Sequence, residues 1–164
     1  MVFQAIPDPL AELPLESVPA GVLRDVYALW LAKRPPDGYP GRRDFAPSEM
    51  VRQLPHINLL DVEGRPPRFH NRLVGTAIVE ASGIDMTGRY FDEFAETGDA
   101  LARCRRLVET GLPHFFADLP MKWSPRNFTT FSVLGLPLAS DGVTIDMILG
   151  ALTFRKAGNE VSVS

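Results

Sequence analysis

A single cysteine, Cys104, leaves this chain of 164 residues without any internal disulfide. Long apolar runs are missing too, since no stretch reaches the roughly 18 residues that a membrane-spanning helix needs. The opening MVFQAIPDPLAELPLE lacks the basic start and unbroken greasy segment of an export signal and carries acids and prolines instead. The chain therefore reads as cytoplasmic. It also lacks a basic excess. Its net charge is −3 with acids and bases interspersed, so nothing is available to neutralise nucleic-acid phosphates. Neither nucleic acid nor membrane is expected as a partner.

Signatures of catalysis are equally scarce. There is no Gly-x-Ser-x-Gly elbow, no His-Glu-x-x-His and no phosphate-cradling Gly-x-x-x-x-Gly-Lys. Asp92 and Glu93 are adjacent, and neighbours on a helical turn point different ways, which makes them a poor acid/base pair. His56, His70 and His114 fall at or near strand-like runs, without metal-ligand spacing to another His, Cys or acid. No catalytic residue, metal site or enzyme activity is expected.

What is present suits one domain with its own core. Residues 1–16 are Pro-rich and aperiodic and read as an extended lead-in. From Pro19 to Lys33, Val22, Leu23, Val26, Tyr27, Trp30 and Leu31 recur at three and four, and Arg34-Pro35-Pro36 stops the pattern. That spacing predicts an amphipathic helix. Pro47 opens a short helix, PSEMVRQL, which Pro55 closes. His56–Val62 and Arg68–Val74 read as a hairpin. Thr76–Ala81 and Tyr90–Ala95 are short connecting helices, and Asp99–Thr110 is a longer one with Gly111 past its end. Its arginines, Arg103, Arg105 and Arg106, read as a solvated face. Three strand-like runs, His114–Trp123, Phe128–Ala139 and Val143–Phe154, close the chain, the last two joined at Ser140-Asp141-Gly142.

Strands grouped as a pair and a triple around helices predict an antiparallel α+β sheet. In the last two runs Leu134, Leu136, Met147 and Leu149 fall on one side, and Phe131, Val133, Ile148 and Leu152 on the other. Both sides are apolar, so both faces need cover, and the Pro19–Lys33 helix is the candidate for one of them.

Motifs sharpen this order. The runs Arg43-Asp44-Phe45-x-Pro47, Leu54-Pro55-x-Ile57, Phe69-x-x-Arg72-Leu73-x-Gly75-Thr76 and Gly83-x-Asp85-x-Thr87-Gly88 occur in sequence. Leu136-Pro137-Leu138, Asp141-Gly142 and Asp146-Met147-Ile148-Leu149-Gly150 follow. Together they resemble a family of short, stand-alone PAS-like proteins found mainly in alphaproteobacteria, over roughly Gly21 to Arg155. The resemblance implies a five-stranded PAS-like sheet with helices around a small pocket, and often a homodimer. It implies no activity. On this basis residues 17–156 form one PAS-like domain, followed by a tail over 157–164. With no kinase, cyclase or DNA-binding segment after the last strand, no output module is expected. The expected role is sensory or regulatory, through a small ligand or a partner protein, with an adaptor whose pocket is filled by its own side chains as the alternative.

The cysteine context Ala-Arg-Cys-Arg-Arg-Leu differs from the flavin-adduct motif Asn-Cys-Arg-Phe-Leu-Gln of photosensory relatives at nearly every neighbour. Neither flavin nor haem is expected. A PAS-like pocket would be lined by Phe91, Phe94, Phe116, Leu134, Leu136 and Met147, with Arg72 near its edge. The five donors of Arg72 suit a ligand carboxylate or phosphate; the alternative is an internal ion pair with Asp61 or Asp85. The apolar stripe containing Val22, Val26 and Trp30 either covers the sheet only or also builds a two-fold interface.

Overall fold

The computed structural model describes residues 13–126 and 129–156. The tail read over 157–164 and the lead-in as far as residue 12 lie outside the described residues. Five strands form one antiparallel sheet: β1 (Ile57–Glu63), β2 (Arg68–Val74), β3 (His114–Pro120), β4 (Thr129–Leu138) and β5 (Met147–Lys156), in spatial order β2-β1-β5-β4-β3. The last strand is thus the central one. Three helices accompany the sheet: α1 (Val22–Lys33), α2 (Thr76–Ser82) and α3 (Gly98–Thr110).

Local chemistry sets the boundaries. Helix α1 stops because Arg34, which precedes Pro35, is held in an extended conformation. Helices α2 and α3 end at Gly83 and Gly111, both in the left-handed region that a side chain resists. Two expected helices shrink to single 3-10 turns, Pro47–Met50 and Phe91–Glu93. Strand β5 begins at Met147 rather than Val143, because the Asp141 carboxylate accepts the amides of Val143 and Thr144 at 2.8 and 2.7 Å. That bond pattern keeps the connection a loop.

Helix α1 lies against one sheet face. Leu23, Val26, Tyr27 and Trp30 form one cluster with Leu59, Leu134, Leu136, Leu138, Met147 and Leu149. The Trp30 indole N–H donates to the Pro137 carbonyl at 3.0 Å, and the Tyr27 hydroxyl to the Leu13 carbonyl at 2.7 Å. Val26 and Trp30 are therefore spent inside the chain, at 1% and 0% exposure, and offer nothing to a second copy. Only Val22 of the proposed interface residues is half-exposed. Among the described residues no helix is long and apolar enough to cross a membrane.

Candidate functional site

The other face is covered by α2 and α3, and its packing is split. One cluster joins Leu60, Phe69, Cys104, Leu107 and Ile148; another joins Ile78, Met121, Phe131 and Leu152. Between them lies a cavity of about 80 Å³ bordered by members of both.

A β-bulge shapes its β2 wall. Leu59 pairs with Leu73 but Leu60 pairs with Asn71, so Arg72 is the unpaired extra residue. The bulge resets the alternation. Asn71 and Val74 both border the cavity, while Leu73 packs in the α1 cluster. Arg72 is turned outward, where its Nε donates to Asp61 at 2.9 Å.

One register row crosses the entire sheet and forms the cavity floor: Val74, Asn58, Gly150, Gly135 and His114, in strand order. The two central glycines are the space in which the flanking side chains lie. A Cβ on Gly150 would overlap Asn58 Oδ1, and one on Gly135 would overlap the imidazole of His114. Glycine inside a strand commonly marks such an approach.

Polar groups around the cavity divide into two sets. Asn71 donates to the Arg89 carbonyl at 3.0 Å, Ser82 to that of Ile84 at 3.0 Å, and Thr97 to that of Phe91 at 3.0 Å. These three fix the walls. Asn58 Oδ1 is buried without a hydrogen-bond partner among the described residues. Among the described residues, neither the His114 nor the Arg103 side chain makes a hydrogen bond or ion pair with the protein. Arg103 instead lies over the rings of Phe116 and Phe131, at 5.9 and 5.7 Å from their centroids, and His114 meets Phe116 edge-on at 5.0 Å. Arg103 is thus not part of a solvated arginine face.

Burial, reinforced by the Arg103 charge, pushes the His114 pKa down to about 4. Burial likewise lowers that of Arg103 and raises the Cys104 thiol to about 12, which leaves it un-ionised and unreactive. For His114 the unfolded chain binds a proton near pH 6.5 and the folded chain only near pH 4. Its contribution to stability is therefore complete above pH 6.5 and is lost as pH falls towards 4. In urea titrations the parent chain should lose stability relative to His114→Phe as pH drops through that window. Parallel curves would contradict the depressed pKa.

Of the residues expected around a pocket, the structure brings Phe91 to this cavity, while Leu134 borders it but packs in the α1 cluster. Leu136 and Met147 lie on the opposite face under α1. Phe94 is half-buried beside Arg89, and Phe116 is 36% exposed outside Arg103. From sequence, Arg103 is expected on a solvated face and His114 has no ligand role, and neither Asn58 nor the glycine pair is singled out.

The antiparallel register also brings together Asp61, Glu63 and His70, with potential ligand atoms within 4.8 Å of one another. Sequence spacing had suggested no such grouping, because cross-strand neighbours are distant in the chain. Each group already has a protein partner. Asp61 accepts from His70 and Arg72, and Glu63 accepts from the Tyr90 hydroxyl at 2.6 Å. The geometry is that of an ion-pair cluster on the sheet edge.

No curated protein matches the chain. Solved structures similar to it include the PAS domain of histidine kinase ThkA, at 12% identity and TM-score 0.47, covering 60% of this chain and 96% of that one. A sensory box sensor histidine kinase from Vibrio cholerae is 19% identical at TM-score 0.45, covering 66% and 88%. A fungal LOV domain photoreceptor is 16% identical at TM-score 0.48, covering 78% and 88%. The family model described as "PAS domain" matches residues 20–153, which is most of the chain and all but the ends of the sheet just described, and the chain belongs to the PAS domain family.

Proposed function

We propose that this domain is a non-enzymatic sensory module that reads a small ligand held between the sheet and helices α2 and α3. The observation that supports this most is the set of unpartnered polar groups, Asn58 Oδ1, His114 and Arg103, around one apolar cavity. Buried polar groups are nearly always paired, so the orphaned Asn58 Oδ1, with the half-buried side chains of His114 and Arg103 open around the same cavity, suits an occupant. A concave apolar site with a few convergent polar groups is also the common design of ligand pockets. The adaptor alternative requires a pocket filled by the chain's own side chains, and here space remains although Phe91 and Phe131 reach it.

The volume favours a small occupant. Sites for drug-sized ligands span roughly 300–1,000 Å³. The lone cysteine supports a reducing compartment, and we place the protein in the cytoplasm. Its signal would pass to a partner protein or to a second copy, through a surface other than the buried stripe of α1.

Native mass spectrometry of freshly purified protein should reveal a co-purifying small molecule that is released on denaturation. Leu152→Trp, which fills the cavity from β5, should lose that species while retaining its circular dichroism spectrum. A bare chain mass from every preparation, with no metabolite in the extract, would overturn the reading.

A further inference from the structure

We propose that the cavity takes a small organic anion with a hydroxyl near its carboxylate, that is, a short-chain hydroxy acid. This inference rests on the sensory reading above and adds the chemical class of the ligand.

Charge supplies the first step. Arg103 sits on α3 at the cavity wall and has no carboxylate within ion-pair distance among the described residues, only the faces of Phe116 and Phe131. A guanidinium half-withdrawn from water without a counter-charge favours an incoming anion, and a carboxylate is the group its planar fork fits best. His114 meets the same Phe116 ring edge-on, so the two donors are neighbours at the cavity. A neutral imidazole still offers one N–H, which makes it a second donor for the same carboxylate.

The opposite end is set by Asn58. Its orphaned Oδ1 needs a donor, and no group among the described residues supplies one. A hydroxyl both donates and accepts, so it satisfies this amide in either orientation. The spacing matches a short molecule. Asn58 reaches over Gly150 and His114 over Gly135, and these glycines are directly paired across β5 and β4. Side-chain positions on such a pair stand about 5 Å apart. A hydroxyl and carboxylate on neighbouring carbons, lying above this pair, reach both groups with hydrogen bonds angled down to the sheet.

Size and polarity set the remainder. With roughly 10–15 Å³ of space needed per water, the cavity holds on the order of six waters, or a solute of about that many non-hydrogen atoms. Leu60, Ile148, Leu152 and Val133 leave only apolar surface for the rest of the molecule. A short branched hydrocarbon body fits there.

The test uses isothermal titration calorimetry on the whole chain with three probes of one skeleton: α-hydroxyisovalerate, isovalerate and isoamyl alcohol. The hydroxy acid should bind at least tenfold more tightly than either of the others. Arg103→Gln should weaken both acids at least tenfold and leave the alcohol unchanged. Asn58→Leu should bring the hydroxy acid down to the level of isovalerate. Circular dichroism confirms that each variant is folded. If the alcohol binds as well as the acids, or if the acids ignore Arg103→Gln, the anion assignment is overturned while the small-ligand reading stands. A neutral or cationic molecule that co-purifies with the protein has the same consequence. A co-purifying hydroxy acid of another skeleton supports the proposal even if these three probes give no heat. No heat from any probe, together with a bare mass from every preparation, overturns both readings.

Discussion

Trp30→Ala is expected to lower the stability of the domain by about 4 kcal/mol, within the range for emptying a buried aromatic site. Trp30 is fully buried, stacks at 6.1 Å on Tyr27 and donates to the Pro137 carbonyl in β4. The truncation therefore opens a cavity and leaves a sheet carbonyl without its donor. For a domain of this size the melting temperature should fall by about 10 °C. Urea unfolding followed by circular dichroism provides the measurement. A loss below about 1 kcal/mol would show that α1 is only loosely held on the sheet. The same experiment separates two roles of the helix. Were Trp30 part of a two-fold interface, its replacement would change the oligomeric state before it changed the stability of a protomer.

Gly75→Ala should rank next, at about 3 kcal/mol, the upper end of the usual penalty for overpacking. The backbone of Gly75 has an ordinary extended conformation, so the cost is not conformational. A Cβ there would overlap the backbone carbonyls of Pro55 and Leu54, and its own amide donates to Ile57 at 2.8 Å. Backbone on three sides has no rotamer with which to yield. Because this crossing seats α2 above the cavity, the variant should also lose any co-purifying ligand. If Gly75→Ala melts with the parent chain, the close approach of these segments is wrong.

The element order, the pair-and-triple grouping of strands and the need to cover both faces could all be read from the sequence, because helical and strand periodicities differ and both closing strands are apolar on each side. Which face holds the cavity could not. Alternation states that Leu134 and Leu136 share a side, opposite to Val133, but not which helix crosses which side. The expected lining consequently fell largely under α1. The bulge at Arg72 is a second reason, since one extra residue reverses the parity of everything beyond it and no residue type in Asn71-Arg72-Leu73 announces it. Two signals were available. Gly135 and Gly150 lie inside strands, where glycine points to a close approach. Arg103 shares the helical spacing of Ala100, Cys104 and Leu107, which places it on the inward stripe and away from Arg105 and Arg106.

The position of β5 has a consequence for how the protein is made. The hairpin of β1 and β2 meets the rest of the sheet only through β5, which pairs with β1 from Ile57 against Ala151 to Asp61 against Met147. During synthesis the chain emerges from its N-terminus, so the first hairpin and α1 wait until α2, α3, β3 and β4 have been made before their central neighbour exists. Until that strand leaves the ribosome, Leu59 and Leu60 have no sheet on one flank, and their apolar surfaces are open to other nascent chains. Assembly of the sheet therefore waits for β5, and the site row through Asn58 and Gly150 comes into being at the same moment.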